Sequence, residues 1–87
     1  MTIHPDLSAE LDVYRHRHPA TQHAMKWLVP NPRLSGHAYD VAYLIWETAV
    51  SLATILEDGP ELTTGLRKLR EAKDCLVIQS LEDQEKE

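Results

Sequence analysis

Apolar residues along the chain recur at helical spacing, and no segment alternates with period two. Leu7, Leu11 and Tyr14 stand at i, i+4 and i+7 and predict a short helix near Asp6–His16, N-capped by Asp6 or Ser8. Pro19 stops it and opens a second short helix through about Leu28, with Ala20, Ala24, Trp27 and Leu28 on one face. Val29-Pro30-Asn31-Pro32-Arg33 has two prolines one residue apart and reads as a stiff extended loop.

The third predicted helix is long, from about Ser35 or Gly36 to Glu57, and carries two apolar stripes. Val41, Leu44/Ile45, Thr48, Leu52 and Ile55/Leu56 form the first; Tyr39, Tyr43, Trp46, Val50 and Ala53 form the second. A helix apolar nearly all round is buried on more than one side. One partner helix cannot cover both stripes, so the second is expected to meet another subunit, the N-terminal helices or a ligand. Asp58-Gly59-Pro60-Glu61 then ends one helix and starts the next. Gly59 suits a left-handed turn, Pro60 the first helical position, and Glu61 the first turn, where the helix dipole favours an anion. The fourth helix is expected from about Pro60 to Leu81 or a little beyond, on the stripe Leu62, Leu66, Leu69, Leu76. The short link makes helices three and four an antiparallel αα-hairpin. The expected architecture is all-α: one helical domain over residues 1–81 and a frayed acidic tail over 82–87.

Composition narrows the class. With 87 residues and 43% of the AVILMFWYC set, this is one small globular domain. A domain this short hides only roughly 60–65% of its unfolded surface, which favours a homo-oligomer. The single cysteine, Cys75, rules out an intrachain disulfide, is expected to be a buried, inert thiol, and points to a reducing compartment. MTIHPDLSAE has no signal-peptide pattern, and Asp40 and Glu47 interrupt the most apolar run, so no membrane span is expected. Net charge is −5, which disfavours nucleic acid as a partner. The charge is uneven: residues 1–37 sum to +1, 38–58 to −4, 59–75 to +1 and 76–87 to −3. Two basic clusters therefore leave room for a small anion.

The candidate chemistry is that of binding. Arg15-His16-Arg17-His18 with His23 is too rich in arginine for a metal site and suits either a solvated helix end or one wall of an anion pocket. His37 beside Gly36 stands at a helix start, where free N–H groups meet anions. Tyr39, Tyr43 and Trp46 can stack a base or simply pack. Arg67, Lys68, Arg70 and Lys73 project away from the leucine stripe, with Glu71 and Asp74 at i+4 from Arg67 and Arg70. No nucleophile stands at fixed spacing from a base, and there is no Gly-rich phosphate loop or Cys-pair motif. The chain is expected to be neither an enzyme nor a cofactor or metal binder.

The run DGPELTTGLRKLREAKD from Asp58 to Asp74, with His18-Pro19-Ala20-Thr21 upstream, resembles small actinobacteriophage proteins. These are similar to the phage anti-CBASS and anti-Thoeris cyclic-nucleotide sponge family. Glu61, Thr63, Leu66, Leu69 and Ala72 match its pattern of a proline turn, Glu, Ser/Thr and a Leu-x-x-Leu-x-x-Ala run, and the resemblance spans about residues 18–81. It implies a cytoplasmic helical oligomer in the bacterial host, often a hexamer. Such an oligomer sequesters cyclic di- or trinucleotide immune signals between subunits without cleaving them. Glu61 and Thr63 transfer by motif position. With the residue-level reading, the expected ligand contacts are Arg33, His37, Tyr43, Glu61, Thr63, Arg67 and Arg70. The expected oligomer interface is Tyr39, Trp46 and Val50. The alternative is a small helical protein that binds and blocks a host protein through the Tyr39/Tyr43/Trp46 stripe.

Overall fold

The computed structural model describes residues 7–86, and among these it is built of helices alone. They are α1 (Ser8–Arg15), α2 (Pro19–Lys26), α3 (Gly36–Ile55) and α4 (Pro60–Glu85). Pro19 and Pro60 each open a helix, where a missing N–H costs nothing. Leu7 is the N-cap of α1. The expected Asp6 cap lies outside the described residues, and Ser8 is the first helical residue. Gly59 is extended, at φ 171°, so the left-handed turn expected there does not occur. The left-handed position is Gly36, at φ 58°, the first residue of α3. A Cβ on Gly36 would stand 3.3 Å from Gln84 Nε2, which places the start of α3 beside the end of α4. Helix α4 runs past Leu81 to Glu85, with Gln79 Nε2 donating to Asp83 Oδ1 at 2.8 Å over one turn.

The core forms where small residues let α3 approach its neighbours. Ala38, Ala42, Ala49 and Ala53 are at most 1% exposed and, with Trp46, form one line along α3. Met25 and Leu28 from α2 and its exit, and Leu62 and Leu66 from α4, join Trp46, Ala49 and Ala53 in one core cluster. On α4 the inward line steps by threes and fours through Leu62, Leu66, Leu69, Lys73, Val77 and Ser80, of which Leu62, Leu66 and Ser80 are buried and the others half-buried. Leu76 falls one position off that line and is 49% exposed, against the expectation that it belongs to the core. Cys75 is likewise exposed, not buried.

The two stripes of α3 exchange roles. The second is covered by the N-terminal helices: Tyr39, Trp46 and Ala53 are buried, and Tyr43 and Val50 half-buried. Helix α1 is docked on this stripe by Glu10, whose carboxylate accepts from Trp46 Nε1 and, at 3.3 Å, from the Tyr43 hydroxyl. Tyr14 adds an edge-on contact to Trp46, with ring centroids 6.2 Å apart. Burial, then the neighbouring Glu10 carboxylate, pushes the Tyr43 hydroxyl above its usual pKa. Of the first stripe, expected to be core, Val41 and Ile45 are half-buried, while Leu44, Thr48, Leu52, Ile55 and Leu56 are exposed.

A second junction ties residues 17–21 to residues 53–58 at Asp58, in the link between α3 and α4. Its carboxylate accepts from His18 N–H at 3.1 Å and Thr21 Oγ1 at 2.8 Å, at the N-terminus of α2. His18 Nδ1 completes this cap by accepting from Ala20 N–H at 3.1 Å. The Arg17 guanidinium donates to Asp58 Oδ1 at 3.0 Å, to Leu56 O at 2.7 Å and to Ala53 O. Arg17 thus satisfies carbonyls that the end of α3 leaves without helical partners. The Thr21 and His18 hydrogen bonds, then the Arg17 charge, hold the Asp58 carboxyl below its ordinary pKa of 3.8.

Two outcomes follow for stability. Glu10→Ala strands the indole N–H of the fully buried Trp46, and urea denaturation is expected to show a loss of about 1–3 kcal/mol; an unchanged midpoint contradicts the docking role. A carboxyl with a lowered folded pKa stabilises fully above its unfolded pKa, and the contribution is lost as pH falls through the folded value. Asp58→Asn is therefore expected to lower Tm at neutral pH, with the gap to wild type closing as pH drops below 3.8. A gap independent of pH contradicts this.

Candidate functional site

The junction at Asp58 anchors the start of α2, and α4 begins two residues later, so α2 and the first half of α4 are held side by side. Between them lies an open groove of about 320 Å³. Ala20, His23, Ala24 and Trp27 line it from the α2 side, and Thr63, Arg67 and Arg70 from α4. The small alanines set the depth of the groove, and Trp27, the C-cap of α2, closes one end of it.

Trp27 organises the polar groups. Its Nε1 donates to His23 Nε2 at 3.3 Å, which makes that imidazole nitrogen an acceptor. Arg70 lies over the indole, with its guanidinium carbon 4.5 Å from the ring centroid; Lys26 Nζ stands 5.9 Å away. Lys73 Nζ donates to Trp27 O at 2.8 Å and so caps the C-terminal end of α2. Desolvation, together with the Arg70 charge, lowers the pKa of the Lys73 ammonium. Thr63 Oγ1 bonds back to Pro60 O at 3.0 Å. The i,i+4 pairs expected between Arg67 and Glu71 and between Arg70 and Asp74 do not form. Among the described residues the ion pairs are Arg15–Asp12 and Arg17–Asp58. Both arginines of the groove therefore present uncompensated charge beside an exposed aromatic ring.

Of the expected ligand residues, the structure brings Thr63, Arg67 and Arg70 together here. The others lie elsewhere. Arg33 is exposed in the loop before α3, where its N–H donates to Asn31 Oδ1 at 3.0 Å. His37 is exposed in the first turn of α3. Tyr43 is half-buried on the α1 side, where its hydroxyl donates to Glu10 and its ring stacks on Tyr39, with ring centroids 6.3 Å apart. Glu61 lines a separate depression with Leu52, Leu56, Lys68 and Leu69. Tyr39, Trp46 and Val50, expected at an oligomer interface, are packed inside one chain, and Trp46 is 0% exposed. In the stripe named for the host-protein alternative, Tyr39 and Trp46 are buried and Tyr43 is half-buried.

The histidine cluster divides. His23 enters the groove, His18 caps α2, and His16 is exposed. Among the described residues no group of three His, Cys, Asp or Glu side chains is placed to hold a metal ion, and no helix is long and apolar enough to cross a membrane. Sequence reasoning placed His23 in a histidine–arginine cluster that suited one wall of an anion pocket, but it missed Trp27, whose i,i+4 spacing from His23 on a helix ending beside two prolines was the available signal. Comparison with protein-family models, with curated proteins and with solved structures finds no match to this chain.

The two tryptophans give a direct check on this arrangement. Trp27 is 45% exposed and Trp46 is 0% exposed. Acrylamide quenching is expected to resolve one accessible and one protected emitter, and Trp27→Phe to leave only the protected, blue-shifted one. Equal accessibility of both contradicts the placement.

Proposed function

We propose that this protein binds a small anionic nucleotide in the α2–α4 groove and sequesters it without cleaving it. The resemblance supplies the ligand class: a cyclic di- or trinucleotide, or a signal of the cyclic ADP-ribose type, used in bacterial immunity. In that reading the chain is a phage anti-defence sponge acting in the host cytoplasm as a homo-oligomer, with α3 and α4 as its antiparallel hairpin.

The observation that carries the reading is the Trp27–Arg70 stack, with Arg67, His23 and Thr63 on the same groove. A nucleotide joins a flat ring to a phosphate charge. An exposed indole offers the first a stacking surface, and unpaired guanidinium groups offer the second charge-assisted hydrogen bonds. Packing Arg70 on Trp27 orders it in advance and lowers the entropy cost of engaging a ligand. Among the described residues no carboxylate lines the groove to repel a phosphate. The lining Thr63 hydroxyl is directed to the Pro60 carbonyl, which supports binding over nucleophilic chemistry. Sequestration works by mass action, so Kd must lie well below the concentration of the signal.

Isothermal titration against cyclic di-GMP, cyclic di-AMP, cyclic tri-AMP and the cyclic ADP-ribose isomers tests this. Saturable heat is expected with at least one member, weakened about tenfold or more by Arg70→Ala, which corresponds to at least ~1.4 kcal/mol. Chromatography should recover that nucleotide intact. No heat with any member, or a cleaved product, contradicts the proposal.

A further inference from the structure

One side of the α3–α4 pair is covered by α1 and α2; the other is not covered by any described element. On that open side α3 shows Leu44, Leu52 and Ile55 at 62%, 37% and 75% exposure, joined by Leu56 at 46%. Helix α4 adds Leu76 at 49%, beside Ala72 and Gly65. These five large side chains alone expose roughly 500 Å², a sizeable share of the ~800 Å² per partner of a stable interface.

Gly65 is the informative residue. It lies inside a helix at an exposed position, where glycine is the poorest choice after proline. A Cβ there would meet nothing within 4 Å, so no contact inside the chain calls for glycine. A close approach from outside does call for it. The heights of the residues show what approaches. Gly36 lies beside Gln84, and equal rise along both helices then sets Ile55 level with Gly65, Thr48 with Ala72 and Leu44 with Leu76. A two-fold axis parallel to the helices lays α3 of one copy over α4 of the other and keeps those heights. Ile55, the most exposed large apolar residue among those described, then meets the residue with no side chain.

We propose that this face is the contact between two copies of the chain, α3 on α4 in both directions, with Ile55 as the knob and Gly65 as the hole. The homo-oligomer of the preceding section thereby gains a defined surface, different from the Tyr39/Trp46/Val50 stripe. This contact does not require a nucleotide, so it is tested without one and its failure is separate from failure of the groove.

Light scattering on size-exclusion fractions at high micromolar concentration is expected to give a mass of twice 9.9 kDa or a higher even multiple. Gly65→Leu fills the hole while raising helix propensity, and Ile55→Asp changes a side chain that one chain leaves 75% exposed, so neither threatens the fold. Both are expected to lower the mass, with the far-UV helical signal retained. A wild-type mass of 9.9 kDa, or an unchanged mass in Gly65→Leu, overturns the proposal.

Discussion

One carboxylate holds the fold in register. Asp58 lies in the link between the two long helices, yet its hydrogen bonds go to the start of α2, through His18 N–H and Thr21 Oγ1. Arg17 closes the junction by bonding Asp58 and the last carbonyls of α3 together. Two chain segments distant in sequence, residues 17–21 and 53–58, therefore meet at one point, each satisfying backbone groups that helix ends leave over. Without that junction α2, a helix of eight residues, has too few turns to keep its place against α4.

The groove is a consequence of the junction. Once the start of α2 is fixed beside the start of α4, Lys73 captures the other end through the Trp27 carbonyl. Trp27 then stands next to Arg70, and His23 is turned to receive the indole N–H. The basic residues of the N-terminal cluster and of α4 consequently do different work. Arg17 is consumed by the fold, whereas Arg67 and Arg70 stay on the surface beside an aromatic ring. The local charge of +1 in residues 59–75 is the part of the sequence that stays available to an anion.

Much of the secondary structure was legible because its signals are local. Pro19 and Pro60 mark helix starts, and the spacing of large apolar residues marks the elements. What was not legible required knowing which face each helix turns inward. Reading stripes from large side chains favoured Leu44, Leu52 and Ile55 for the core, whereas α3 buries its line of alanines, where backbones come close. The role of Arg17 depends on a partner forty-one positions away, which no periodicity reveals. Thr63, Arg67 and Arg70 could be picked as anion partners because they share one helix face near its start. Trp27 was missed because the aromatic cluster of α3 drew the stacking role to itself, and His23 was read only together with His16 and His18, from which the fold separates it.

The central claim is that the ring and the charge of a nucleotide meet at Trp27. The indole N–H resonances test it, because the chain has two tryptophans and only one lines the groove. In a ¹⁵N-resolved titration with the cyclic nucleotide that gives heat, the Trp27 indole signal is expected to move to saturation, together with amides of Thr63, Arg67 and Arg70. The Trp46 indole, bonded to Glu10 in the core, is expected to stay in place. Movement of the Trp46 signal alone, or a bound nucleotide that leaves Trp27 unchanged, would contradict the account.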